Sequence, residues 1–191
     1  ISEAHLENFR NIGGIAKAKS EIIYNIEKGG TVILNRDDKF FNYFKKVAKK
    51  NNIKVISFGY SKKSNIRFTG IRKKNAKYIL TMSSDNKNIN LEINNNNKNY
   101  IMNSLCCLAI IKELNLDLNK ARDVFKNQNF LKGRGKINQI RKHNKKFFLI
   151  DESYNANPLS VKSAIENFSK IKKKGKRKYF LFGDMLELGK N

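Results

Sequence analysis

The sequence predicts an α/β fold: a mostly parallel sheet flanked by helices, with an antiparallel edge, followed by the start of a second α/β unit. Three observations predict it. Short apolar runs alternate with amphipathic helical segments over roughly the first third of the chain. Between 66 and 93 the alternation gives way to β-prone pieces separated by polar turns. After Gly133-Arg134-Gly135 a strand-then-helix alternation starts again.

In order, residues 12–26 carry Ile12, Ile15, Ala16, Ile22, Ile23 and Ile26 near a 3.6-residue period and predict a helix that Gly29-Gly30 ends. Thr31-Val32-Ile33-Leu34 is a short buried strand. A loop, Asn35-Arg36-Asp37-Asp38, gives the next helix (39–50) an acidic start, and that helix turns Phe40, Phe41, Phe44, Val47 and Ala48 inward. The strand 53–58 then closes a β-α-β unit of parallel type. Pieces at 66–71, 78–82 and 89–93 read as an antiparallel meander at the sheet edge, with 94–97 a tight loop. Residues 100–114 form a helix apolar nearly all round, which predicts burial. A further helix, 117–125, faces Leu118, Ala121, Val124 and Phe125 inward. Beyond the glycine-flanked Arg134, which reads as a hinge, come strands at 136–140 and 147–150, a helix at 159–171 and a strand at 179–182. The domain division is expected at 1–132 and 133–191, the second part cut short.

Composition narrows the function classes. A chain of 191 residues with 40% hydrophobic residues can bury a core. No apolar run reaches about 18 residues, so no membrane span is expected. The opening Ile1-Ser2-Glu3-Ala4-His5 has neither a basic nor an apolar leader region and predicts no signal peptide. It also lacks an initiator methionine, which points to a piece of a longer protein. Cys106 and Cys107, adjacent in an apolar helical run, are expected to be buried thiols in a reducing cytoplasm. The net charge of +24 invites a nucleic-acid reading, but the cations are 32 Lys against 8 Arg and are joined by 28 Asn spread along the whole chain. This is a drift in composition, where a binding patch would be local. Salt-sensitive, unselective affinity for polyanions is the expectation, with no specific nucleic-acid partner.

The densest chemistry lies in Asp151-Glu152-Ser153-Tyr154-Asn155-Ala156-Asn157-Pro158, where an apolar run stops at two carboxylates. Ligands in open α/β sheets sit at the carboxyl ends of strands. The same residues also read as a plain turn with Asn157 as N-cap and Pro158 opening a helix. Asp151 and Glu152 could hold ribose hydroxyls, a metal, or nothing. Arg134 between two glycines could approach a ligand closely or be incidental to a linker. His5 is a lone histidine, and Lys19 by default a surface lysine. There is no Walker-type phosphate loop, no zinc-like Cys/His cluster and no nucleophile elbow.

Taken together, Ala4-His5-Leu6-Glu7-Asn8-Phe9 followed by Gly14-Ile15-Ala16-Lys17-Ala18-Lys19-Ser20, the 151–158 loop, and Gly183-Asp184-Met185-Leu186-Glu187-Leu188-Gly189 resemble the Mur ligase family from end to end of the chain. The resemblance implies the last part of an ATP-binding central domain and the first part of a Rossmann-like C-terminal domain. The last two motifs resemble the branch that joins D-alanyl-D-alanine to UDP-N-acetylmuramoyl-tripeptide, in the cytoplasm, through an acyl phosphate. A sibling ligase, a folylpolyglutamate-synthetase-like ligase, or a basic nucleic-acid-binding protein are the alternatives. ATP and Mg²⁺ are the implied cofactors, and a monomer is expected. On this resemblance His5 matches a Mg²⁺ ligand and Lys19 a lysine carbamylated by CO₂ that helps hold the metal, with Lys17 as the competing position. Asn103 matches an asparagine that contacts adenine, although Tyr100 stands where a second asparagine is frequent. Arg134 matches an arginine that reaches ATP, and Glu152 an acid near the ribose. Tyr154 matches a position beside the nucleotide, while Asn155 and Asn157 fall in the substrate-cleft loop. Asp37 and Asp38 also match a family pattern, but helix capping explains them. The phosphate loop, a metal-binding glutamate and the UDP-sugar domain would precede Ile1, so the chain alone is expected to be inactive.

Overall fold

A computed structural model describes residues 1, 9, 11–128, 132–154, 156–171 and 177–185. The chain divides into two compact units, one comprising Ile1 and Ala16–Gln128 and the other Ser2–Ile15 and Asn129–Asn191, so that the first turn of the helix Ile12–Tyr24 falls to the second.

In the first unit α1 (Ile12–Tyr24) leads to β1 (Thr31–Asn35), α2 (Phe41–Lys50) and β2 (Lys54–Gly59). β1 and β2 pair in parallel from Thr31↔Lys54 to Asn35↔Phe58. Side chains alternate across a strand, so Val32, Leu34 and Val55 pack against Ala16 and Ile23 of α1 and Phe44, Val47 and Ala48 of α2. Ile33 and Ile56 point the other way, into the main core. Strands that are apolar on both faces require cover on both.

The sheet continues with β3 (Ile66–Lys74), β4 (Lys77–Ser84) and β5 (Lys87–Ile93), in the order β1-β2-β3-β4-β5. β3 is parallel to β2, and β3-β4-β5 form the expected antiparallel edge. Its two hairpins close on Asn75 and on Asp85-Asn86, all with positive φ, the backbone that tight two-residue turns require. α3 (Lys98–Glu113) and α4 (Leu118–Asn127) cover one face of this edge. There Leu80, Met82, Leu91, Ile93, Leu105 and Leu108 are fully buried. The Asn97 side chain caps α3 by accepting from the Tyr100 amide at 2.7 Å. Among the described residues no helix is long and apolar enough to cross a membrane.

The β2–β3 link is unusual. Parallel neighbours ordinarily need a crossover of a dozen or so residues, yet only residues 60–65 separate these two. The solution is a stagger: only Phe58↔Ile66 and Gly59↔Arg67 pair, and β3 runs on beyond the end of β2. The link is pinned at both ends. The Asp37 carboxylate accepts from the Tyr60 amide (2.6 Å) and the Ser61 amide (3.0 Å). Asn65 Oδ1 accepts from the amide and hydroxyl of buried Ser57 (2.9 and 2.7 Å). Gly59 has φ +151°, and a Cβ there would collide with the Asp37 carboxylate. Asp37 therefore holds the link and does not cap α2, contrary to the capping expectation. Asp38 does serve the helix start, accepting from the Phe40 amide at 2.8 Å.

The second unit holds β6 (Lys136–Lys142) and β7 (Lys145–Asp151), an antiparallel hairpin closed by His143-Asn144 with positive φ, then α5 (Pro158–Lys170). Four other expectations change. Residues 179–182 form no strand, because no ladder partner meets them among the described residues, and Leu181 is 93% exposed. Val124 is 68% exposed because Leu118, Ala121 and Phe125 already fill the inward stripe of α4. Helix α3 is buried on one face only. Cys107 lies on its exposed face, while Cys106 is half-buried.

Asp37→Ala is expected to lower stability by about 1.5–3 kcal/mol in urea denaturation, the scale of hydrogen bonds to a charged acceptor. Asp37→Asn, which keeps one acceptor oxygen, should lie between. An unchanged midpoint for the alanine variant would show that the link holds without this carboxylate.

Candidate active site

The carboxyl end of β7 gathers the richest chemistry. Because Lys136 pairs with Asp151, the turn 132–135 that precedes β6 lies beside the loop that follows β7. Two backbone bonds lock them: the Gly135 amide donates to the Asp151 carbonyl (2.8 Å), and the Tyr154 amide to the Gly133 carbonyl (3.2 Å). Gly133 is buried with φ +73°, and a Cβ on it would come within 2.8 Å of the Tyr154 Cβ. Only glycine accepts both the left-handed backbone and the approach.

The two carboxylates that the sequence could not separate have different environments. Asp151 Oδ1 accepts from the Ser153 hydroxyl (2.6 Å) and amide (3.1 Å), an Asx turn that shapes the loop. The Ser153 hydroxyl, then its amide, hold the Asp151 carboxyl below the usual carboxylate range. Partial burial pushes Glu152 up, the Arg134 guanidinium opposes the rise, and Asp151 adds to it. Asp151 is thus engaged within the loop by Ser153, and no such bond holds Glu152 among the described residues.

Arg134 lies with its guanidinium carbon 4.4 Å from the centroid of the Tyr154 ring. Among the described residues its N–H groups donate no hydrogen bond. An arginine in this state suits an anion approaching edge-on. The structure therefore brings together Arg134, Glu152 and Tyr154. Asn157 stands at the start of α5, where it builds a reciprocal cap: its side chain accepts from the Ser160 amide (2.9 Å), and its own amide donates to the Ser160 hydroxyl (2.9 Å). That is the N-cap the sequence offered as the plain-turn reading.

In the first unit, Lys19 is exposed on α1 and Asn103 is exposed on α3. Those helices cover opposite faces of β1–β2, so the two side chains do not converge. Lys17 is exposed as well, and exposure does not choose between the two lysines. His5 and Asn155 lie outside the described residues. Among the described residues no group of three or more His, Cys, Asp or Glu is arranged to hold a metal. An unmodified Lys19 is a cation and no ligand, so the described residues do not make a Mg²⁺ site on their own.

Sequence reasoning missed Ser153 as the partner of Asp151. The Asp-x-Ser spacing of an Asx turn was the available signal. Ser153→Ala is expected to move the Asp151 pKa up toward the ordinary carboxylate value in an NMR titration. The depressed pKa gives stability that is present above the ordinary range and lost as pH falls through the folded value. The alanine variant should therefore lose less stability on acidification. An unmoved titration would show that the hydroxyl contributes nothing.

Comparison with known proteins gives a consistent result. Residues 1–111 match the Mur ligase middle domain. The chain is 32% identical to the UDP-N-acetylmuramoyl-tripeptide–D-alanyl-D-alanine ligase of Rickettsia prowazekii (strain Madrid E), over 100% of this chain and 41% of that protein. A crystal structure of MurF from Acinetobacter baumannii, 26% identical, aligns with a TM-score of 0.81 over 99% of this chain and 39% of its own. The MurF ligase of Thermotoga maritima in complex with ADP has the same fold, with a TM-score of 0.79 at 19% identity, over 99% of this chain and 41% of its own. The chain thus spans about two fifths of the length of these relatives. With the middle-domain match running over more than half of its residues, the chain belongs to the Mur ligase family.

Proposed function

We propose that this chain is part of an ATP-dependent ligase that joins D-alanyl-D-alanine to UDP-N-acetylmuramoyl-tripeptide, a step in building peptidoglycan precursors. The observation that carries the reading is similarity along the whole chain, at 32% identity, to a ligase of that name. In this reading residues 1–132 are the last part of the ATP-binding central domain, and 133–191 the first part of the Rossmann-like ligase domain. The enzyme works in the cytoplasm as a monomer.

The reaction has two steps. The substrate carboxylate takes the γ-phosphoryl group of ATP, and ADP leaves. The dipeptide amine then attacks the acyl carbon, an amide forms, and inorganic phosphate leaves with the carbonyl–oxygen bond broken. Crowded negative charge is the physical obstacle, and fixed cationic donors lower it most when they are oriented in advance. Arg134 fits that task toward ATP, and Glu152 fits a ribose hydroxyl as acceptor. Asn103, exposed on α3, would offer its amide to adenine, and Tyr154 belongs to the nucleotide side of the loop. Asn155 and Asn157 would line the substrate side. That position for Asn157 has to coexist with its capping bonds. Mg²⁺, where bound, would screen phosphate charge. His5 and carbamylated Lys19 are the two groups this chain would offer it.

The test is ADP release by the full-length polypeptide supplied with ATP, UDP-N-acetylmuramoyl-tripeptide and D-alanyl-D-alanine. Release that requires all three is the expected result. Release with a single amino acid or glutamate, and none with the dipeptide, would move the reading to a sibling ligase. Lys19→Ala should abolish turnover, whereas Lys17→Ala should remain active. The reverse pattern would reassign the carbamate.

A further inference from the structure

We propose that Tyr154 is a positioning residue for Arg134: its ring is a shelf on which the guanidinium is held before the nucleotide arrives. The proposal rests on the reading above that Arg134 meets the nucleotide. Three observations converge. First, the guanidinium carbon sits 4.4 Å from the Tyr154 ring centroid, within cation–π range. Second, Tyr154 is 70% exposed among the described residues, so its ring is not packed into a core there. Third, its backbone is clamped at that place. The Tyr154 amide donates to the Gly133 carbonyl at 3.2 Å, and Gly133 packs so closely against Tyr154 that a Cβ would not fit.

The consequence is chemical. An unsupported arginine explores many rotamers and loses that freedom when it binds an anion. A stacked one has lost much of it already, so more of the interaction appears as affinity. Stacking also leaves the hydrogen-bond donors in the guanidinium plane free and directs them sideways, toward an edge-on phosphate or ribose oxygen. Glu152 stands close enough to feel the guanidinium charge. Tyr154 contributes through the ring face, so the hydroxyl is dispensable for this role.

The experiment measures ATP KM and kcat for the full-length protein carrying R134A, Y154L, Y154F and R134A/Y154L, with a urea midpoint for each. Y154L keeps an apolar side chain and removes the π face. It should raise ATP KM about five- to tenfold, with a smaller change in kcat. Y154F should recover most of the affinity that Y154L loses. The double variant should be no worse than R134A, because a shelf is worthless once its arginine has gone. In NMR spectra the Arg134 δ-protons should carry an upfield ring-current shift that persists in Y154F and vanishes in Y154L. An impaired R134A beside an unchanged Y154L overturns this proposal alone, as do losses that multiply in the double variant. An R134A protein with unchanged ATP KM overturns both the proposal and the reading of Arg134 beneath it. Absence of the ring-current shift overturns the proposal whatever the kinetics show.

Discussion

The first unit depends on covering two parallel strands that are apolar on both faces. Val32, Leu34 and Val55 need one layer of helices, and Ile33 and Ile56 need another. That requirement places α1 and α2 on one side and α3 on the other, with α4 beside α3 over the antiparallel edge. It also explains why Lys19 and Asn103, on helices from opposite layers, do not meet within this unit. Burial of this kind is worth roughly 25 cal/mol for each Å² of apolar surface, which makes it the largest favourable term in the unit. The polar clamps act in a different way. Asp37 and Asn65 add little burial, but they fix a link so short that parallel pairing survives only as a two-residue overlap.

The second unit reaches order at its site by other means. Among the described residues its sheet has two strands, and Phe147, Phe148 and Leu149 are each more than two fifths exposed. What fixes the site locally is backbone interlocking. The turn at Gly133–Gly135 and the loop at Asp151–Tyr154 exchange two main-chain hydrogen bonds, and the Asx turn at Ser153 sets the curvature between them. Such an arrangement can hold Arg134 against Tyr154 without a large core beneath it. It also separates the two acids, one committed to the loop and the other left with a raised pKa.

The sheet, its antiparallel edge and most helices were legible because periodicity reports which face of an element is apolar. Val124 was misread because it lies at the margin of the inward stripe of α4, which Leu118, Ala121 and Phe125 already fill. Residues 179–182 were misread because a strand is defined by its partner, and an apolar run carries no information about whether one is present. At the site, the capping role of Asn157 was legible from Asn-Pro at a helix start. The contact between Arg134 and Tyr154 was not. It joins two loops far apart in sequence, and only the β6–β7 register brings them together.

The drift toward lysine and asparagine also has a structural reading. Among the described residues seven non-glycine residues take positive φ, and five of them are asparagine: Asn52, Asn75, Asn86, Asn115 and Asn144. Asparagine tolerates the left-handed region better than other side chains because its short amide can bond locally. An asparagine-rich sequence can therefore close its turns without spending glycines on them. The chain keeps glycine where nothing else fits, at Gly59 against Asp37 and at Gly133 against Tyr154. Lysine accumulates where a flexible charged side chain is tolerated: Lys45, Lys46, Lys49 and Lys50 on the exposed side of α2, and Lys145 and Lys146 beside the β6–β7 turn. Where geometry decides, at the cation over Tyr154, the residue is arginine. A lysine there would bring a charge but no planar fork to stack and aim. The compositional drift thus runs over positions that physics leaves open and stops at those it does not.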